Sequence, residues 1–165
     1  MDRSTVLAAT PGSRASAGPD ETLALGRRIG AAAKPGTVLA LIGELGAGKT
    51  QLAKGVADGL GVTSVVNSPT FVLMNEHVGR LRLYHVDAYR LGDPDEAAAA
   101  GLLDERQADG VTVIEWADRL DGWLPEERLV IRLDTPAGEP TTRVLSWTAR
   151  GAAHERLAAE SLAAT

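Results

Sequence analysis

Residues 43–50 read Gly-Glu-Leu-Gly-Ala-Gly-Lys-Thr, and no other stretch restricts the fold of this chain so strongly. A glycine, four residues, a second glycine, then lysine and threonine is the Walker A pattern, met here by Gly43, Gly48, Lys49 and Thr50. The glycines admit positive φ, which lets successive backbone N–H groups turn toward a bound anion. Glu44, Leu45, Gly46, Ala47 and Gly48 would then wrap phosphate with their backbone. Lys49 would bring a positive charge to the β- and γ-phosphates, and the Thr50 hydroxyl would ligate Mg²⁺. Such a loop leaves a buried strand and opens a helix, whose positive dipole end adds to the attraction for the anion.

Both flanks meet that requirement. Residues 37–42 form a short apolar run of the kind expected for a central parallel strand. From Lys49 onward, Leu52, Val56 and Leu60 fall at helical spacing, and Gly59 and Gly61 stand where a C-cap is expected.

The rest of the chain reads as alternating elements. Residues 1–18 are small, polar and Pro/Gly-bearing, so a disordered extension is expected there, followed by an ATPase-type domain over 19–165. Pro19-Asp20-Glu21-Thr22 resembles a helix start, with Leu23, Leu25 and Ile29 supplying an apolar face up to Pro35-Gly36. Residues 71–78 and 81–86 read as two strands of a hairpin around Gly79-Arg80. A helix is expected over 93–103, strands at 111–114, 129–133 and 143–148, and a terminal helix over 152–162. This order predicts an α/β single domain of the P-loop type, a mixed and mostly parallel sheet flanked by helices. Ligand should sit beyond the C-terminal ends of the parallel strands.

Composition narrows the partners. The 165 residues carry a formal net charge of −5, which argues against a chain that grips nucleic acid by itself. No cysteine is present, which removes disulfides and thiolate metal sites. No apolar run reaches the length of a membrane span, and the N-terminus lacks the order of a secretory signal, so cytoplasmic residence is expected.

A magnesium-bound phosphate chain needs a fixed carboxylate, usually at the end of a buried strand. Two acids qualify. Glu115 ends the run Val111-Thr112-Val113-Ile114, and Asp87 ends Leu83-Tyr84-His85-Val86. Glu115 has the cleaner strand before it, and Asp87 is suited to metal-bound water or to positioning an attacking water. Ser68-Pro69-Thr70 reads equally as a turn or as a mobile switch sensing phosphate through Thr70. His77, His85 and His154 show no metal-ligand spacing and read as surface or structural residues. Trp116, Trp123 and Trp147 read as packing residues, with Trp116 at the rim of the site. Arg27, Arg28 and Arg90 read as solvated or ion-paired, and no intrinsic arginine finger is identifiable.

Four segments in this order carry a family resemblance: the loop at 43–50, Ser-Pro-Thr-Phe at 68–71, Leu-Tyr-His-Val-Asp-Ala-Tyr-Arg-Leu at 83–91 and Val-Ile-Glu-Trp-Ala-Asp at 113–118. Together they resemble the TsaE (formerly YjeE) family of bacterial ATPases in tRNA threonylcarbamoyladenosine synthesis. The resemblance spans most of the domain. It implies ATP and Mg²⁺ as cofactors, slow hydrolysis, and partner proteins TsaD and TsaB that transfer threonylcarbamoyl to adenosine 37 of tRNAs reading codons that begin with A. The tRNA would be met only through that complex. The resemblance also implies roles: Lys49 and Thr50 in the loop, Glu115 on Mg²⁺, Asp87 as the motif acid, Thr70 as the switch, and Thr22 near the nucleotide base. Many relatives carry a second threonine where this chain has Gln51.

Three other classes share the phosphate loop. A small-molecule P-loop kinase needs a lid with clustered arginines, and no such segment is evident. A GTP switch needs an Asn-Lys-x-Asp segment, which is missing. An ATP-dependent adaptor that does not hydrolyse stays open.

Overall fold

A computed structural model describes residues 9–44, 46–66, 74–89, 105–120 and 122–163. Leu45, the 68–71 segment with Thr70, Arg90 and the helix expected over 93–103 lie outside the described residues.

The described strands are β1 (Ala9–Ser16), β2 (Thr37–Gly43), β3 (Met74–His77), β4 (Leu83–Asp87), β5 (Val111–Glu115), β6 (Arg128–Asp134) and β7 (Arg143–Arg150). They form one sheet in the order β1-β7-β6-β2-β5-β4-β3. The central strands β6, β2, β5 and β4 are mutually parallel, and β7 and β3 run antiparallel to them at either side. β1 is antiparallel to β7 and so runs with the central four. The sheet is therefore mixed and mostly parallel, and the fold is α/β.

Alternation along the strands separates two cores. Leu39 and Leu41 of β2, Val111 and Val113 of β5, and Leu129, Ile131 and Leu133 of β6 join the side chains of α1 (Pro19–Ala32), α2 (Lys49–Gly59) and α3 (Ala152–Ala158). Ala40, Val86 and Ile114 point the other way, onto Ala117 and Leu120 of a short 3₁₀ turn. Period-two alternation puts each strand's apolar residues on both faces, which is why β5 is buried along its whole length.

Two helices fix the geometry near the loop. α1 lies against α2 at backbone contact, because glycines line the seam. A Cβ at Gly55 would fall on the Leu23 carbonyl and 2.8 Å from Gly26 Cα, and one at Gly30 would fall on the Val56 carbonyl. Gly59, expected as a cap, belongs to this seam, whereas Gly61 holds the positive φ that ends the helix.

One expectation is corrected. Ala9–Ser16 is not part of a disordered extension but a strand, paired along eight positions from Ala9 opposite Arg150 to Ser16 opposite Arg143. Its Pro, Gly and Ser content hides any alternation. The strand exists because β7 offers an unpaired edge, and Pro11 is tolerated because β1 is itself an edge. Side chains secure it: Arg14 donates to the Leu162 carbonyl at 2.7 Å and Thr10 to Glu155 at 2.7 Å. The terminal helix is found where expected, although its last turn, Ala159–Ala163, widens to a π-helix.

Candidate functional site

The site lies at the C-terminal ends of the parallel strands. Gly43 closes β2 and the chain turns through the loop into α2. Gly46 and Gly48 carry positive φ of 81° and 102°, as the loop pattern requires. Lys49 is the first residue of α2 and is buried, 4% exposed. Its Nζ donates to the carbonyls of Gly43 at 2.7 Å and Glu44 at 2.8 Å. The same ammonium sits 4.1 Å from the centre of the Trp116 ring. Burial pushes the lysine below its ordinary 10.5, against the opposing pull of Glu115, Asp118, Asp87 and Glu44.

The facing wall comes from β4 and β5. Register sets Asp87 beside Glu115, and Glu115 beside Leu41 of β2. Glu115 is buried, 2% exposed, and its two oxygens are both engaged. Oε1 accepts from Thr50 Oγ1 at 2.8 Å, and Oε2 lies 2.6 Å from His85 Nε2. A carboxylate can only accept, so His85 donates through Nε2. Asp87 Oδ1 accepts the Tyr89 N–H at 2.9 Å. The structure thus brings Lys49, Thr50, Glu115 and Asp87 to one strand-end cleft.

A tilted aromatic pair closes that wall. Trp116 and Tyr89 rings lie 4.8 Å apart, and the Arg119 guanidinium caps Tyr89 at 5.2 Å. Trp116 holds φ at +58°, a left-handed conformation that is uncommon for a bulky residue. That turn carries its indole from the end of β5 back over Lys49, so Trp116 is more than the rim residue expected.

On the other side of the loop, Pro19, Thr22, Gly46, Gly48, Gln51, Pro140, Thr141 and Arg143 line a cavity of about 250 Å³. Thr22, expected near the nucleotide base, lines this cavity and shares its hydroxyl with Ser16 Oγ at 2.8 Å.

Two residues join the site that the sequence did not single out. His85 takes the second of its readings, surface or satisfied structural residue: it is fully buried and bonded to Glu115. A signal existed: a histidine two positions before a strand-end acid faces the same side of the sheet. Arg143 lacks such a signal, since it is one arginine at the start of a strand near the edge.

Residues 16–144 match the family model for threonylcarbamoyl adenosine biosynthesis protein TsaE. The chain is 46% identical over 143 residues to a tRNA threonylcarbamoyladenosine biosynthesis protein TsaE of Bacillus subtilis, covering 86% of this chain and 88% of that one. A protein of the same name from Streptomyces coelicolor is 42% identical, over 77% of this chain and 88% of its own. Among solved structures, the crystal structure of Bacillus subtilis YdiB superposes with a TM-score of 0.76 at 37% identity, covering 93% of this chain and 95% of that one.

Proposed function

Because the chain belongs to the TsaE family, we propose that it is a Mg²⁺-dependent ATP hydrolase supporting N6-threonylcarbamoylation of adenosine 37 in tRNA, acting on a complex of TsaD and TsaB. The observation that carries the hydrolase part is the Thr50–Glu115 pair, a hydroxyl and a carboxylate 2.8 Å apart beside the buried lysine of a phosphate loop.

That donor set fits magnesium, which favours hard oxygen ligands and keeps several waters alongside substrate phosphate. Thr50 and Glu115 would hold it, and bound Mg²⁺ would neutralise charge on the phosphate oxygens. The chain's own residues do the remaining work. Loop N–H groups and Lys49 fix the phosphates, His85 aims Glu115, and Asp87 stands at the neighbouring strand end to orient water. Thr70 is assigned the switch role and Thr22 contact with the base.

On this reading the partners complete the site and turnover is slow without them, since supply of an arginine finger raises phosphoryl-transfer rates by about 10³–10⁵. No helix of the described residues is long and apolar enough to cross a membrane.

The test is phosphate release from Mg-ATP by the protein alone and with purified TsaB and TsaD. Weak release alone and clear stimulation by the pair is the expected result. Tight ATP binding with no response to either partner would overturn it in favour of an adaptor or of an enzyme with a separate phosphoryl acceptor.

A further inference from the structure

Arg143 starts β7, nearly a hundred residues after the loop, yet half of its guanidinium's hydrogen bonds go to the loop. Nε donates to the Ala47 carbonyl at 3.0 Å and Nη2 to the Gly46 carbonyl at 3.0 Å. Nη1 donates to the Pro140 and Thr142 carbonyls at 2.8 and 2.9 Å. The planar fork therefore ties four backbone oxygens from two chain segments into one rigid unit, a geometry an ammonium does not reproduce.

The two carbonyls it holds are those of the peptides on either side of Ala47. Both peptides adjoin glycine, Gly46 before and Gly48 after, each at positive φ. A peptide flanked by glycine turns over easily, because no Cβ opposes the rotation. In a trans peptide the carbonyl and the N–H point in opposite directions. Holding the Ala47 oxygen toward β7 therefore directs the Gly48 N–H to the opposite side, at the N-cap of α2. Holding the Gly46 oxygen leaves the Ala47 N–H to close the loop onto the Glu44 carbonyl at 3.0 Å. Lys49 acts from the other face, on the carbonyls of Gly43 and Glu44.

We infer that Arg143 is a positioning residue for phosphate recognition: it locks the Gly46–Ala47–Gly48 backbone with its carbonyls turned toward β7, so that the loop is organised before nucleotide binds. The inference rests on the nucleotide reading above but not on hydrolysis. It makes a selective demand. The β-phosphate is the group a phosphate loop grips, so losing the lock should weaken a nucleoside diphosphate more than a monophosphate.

The experiment measures ADP and AMP affinity by calorimetric titration, with AMP in competition against ADP, for the parent, Arg143→Ala, Arg143→Lys and Lys49→Ala. Thermal unfolding without ligand is recorded in parallel. Expected is a loss of about 10- to 100-fold for ADP in Arg143→Ala, a smaller loss for AMP, and an intermediate ADP loss in Arg143→Lys. Arg143→Lys keeps the charge and stem, and covers the case in which the alanine variant does not fold. An unchanged ADP-to-AMP ratio in folded Arg143 variants, whether neither affinity moves or both fall together, overturns the inference, because a merely structural role moves both alike. If the parent fails to bind ADP, or Lys49→Ala binds as tightly as the parent, the nucleotide reading falls and this inference with it.

Discussion

The two walls of the cleft are built on opposite plans. On the loop wall, Lys49 bonds carbonyls six and five positions away, within the motif itself. On the acid wall, Glu115 bonds Thr50 across 65 positions and His85 across 30. The loop wall is mostly backbone, shaped by glycine and an anchoring arginine. The acid wall is mostly buried side chains aimed by one another, and Trp116 reaches from it over Lys49 of the loop wall. A local motif can bind phosphate almost anywhere it folds. Only the sheet register, with Leu41, Glu115 and Asp87 abreast, gives that phosphate a carboxylate. Binding and chemistry should therefore separate on mutation.

The largest expected effect tests that separation. Glu115→Gln keeps an acceptor for the Thr50 hydroxyl and removes the charge that would hold magnesium. Mg²⁺-dependent phosphate release should fall by about 10²–10³-fold, the scale of losing one preorganised electrostatic group. ADP affinity should stay close to the parent's, and the fold should persist. Lys49→Ala should do the reverse in binding, weakening ADP by about 30-fold or more through loss of a buried phosphate-facing charge. Steady-state release and titration of the two variants check both. Were Glu115→Gln to lose ADP as severely as Lys49→Ala, the two walls would be one unit.

This contrast also explains what was readable in advance. The strand, loop and helix over 37–60 follow from contiguous residues, and the structure reproduces them as β2 and α2. Glu115 was found because an apolar run ends on it. His85 was passed over because its importance comes from a partner on the neighbouring strand. Arg143 was passed over because its partners are carbonyls, which carry no side-chain signature. β1 was missed because its stability comes from the edge of β7 rather than from its own pattern. The glycines of α2 were half understood. Gly59 was read as a stop signal, although its neighbour across the seam is Gly30.

That seam supplies the middle-sized prediction, since it holds α1 and Thr22 to the helix that begins at Lys49. Gly55→Ala should gain about 0.5–1 kcal/mol in helix propensity. Against this, the new Cβ meets backbone, the Leu23 carbonyl and Gly26 Cα, which no rotamer change relieves. Overpacking of this kind costs about 1–3 kcal/mol, so the net change should be destabilising. Denaturant unfolding should show a lower midpoint with an unchanged m-value. A stabilised Gly55→Ala would mean that α1 moves freely, and that the loop wall is less rigid than its contacts describe.

The smallest effect comes from comparing two buried histidines. His85, in the cleft, donates Nε2–H to a carboxylate. His154, at the far end of the sheet, uses the same atom to accept the Val38 N–H at 3.0 Å. Accepting through Nε2 requires the neutral ring. Burial accordingly pushes His154 below its ordinary 6.5, with Glu127 pulling weakly the other way. The unfolded chain then binds more protons than the folded one between 6.5 and the lowered folded value. Stability from this group is therefore complete above 6.5, falls as pH drops from 6.5 toward the folded value, and is flat below it. His77 is also pushed down by burial, so the parent should lose stability through the same window for two reasons. His154→Gln keeps an acceptor for Val38 and abolishes the titration. Its stability at about pH 8 should lie within about 1 kcal/mol of the parent, and its loss on acidification below 6.5 should be shallower by the share of one histidine. Parallel urea titrations across that window make the comparison. Equal slopes in the two proteins would mean that His154 binds its proton alike in the folded and unfolded chain, so that neither burial nor the bond from Val38 holds the ring neutral.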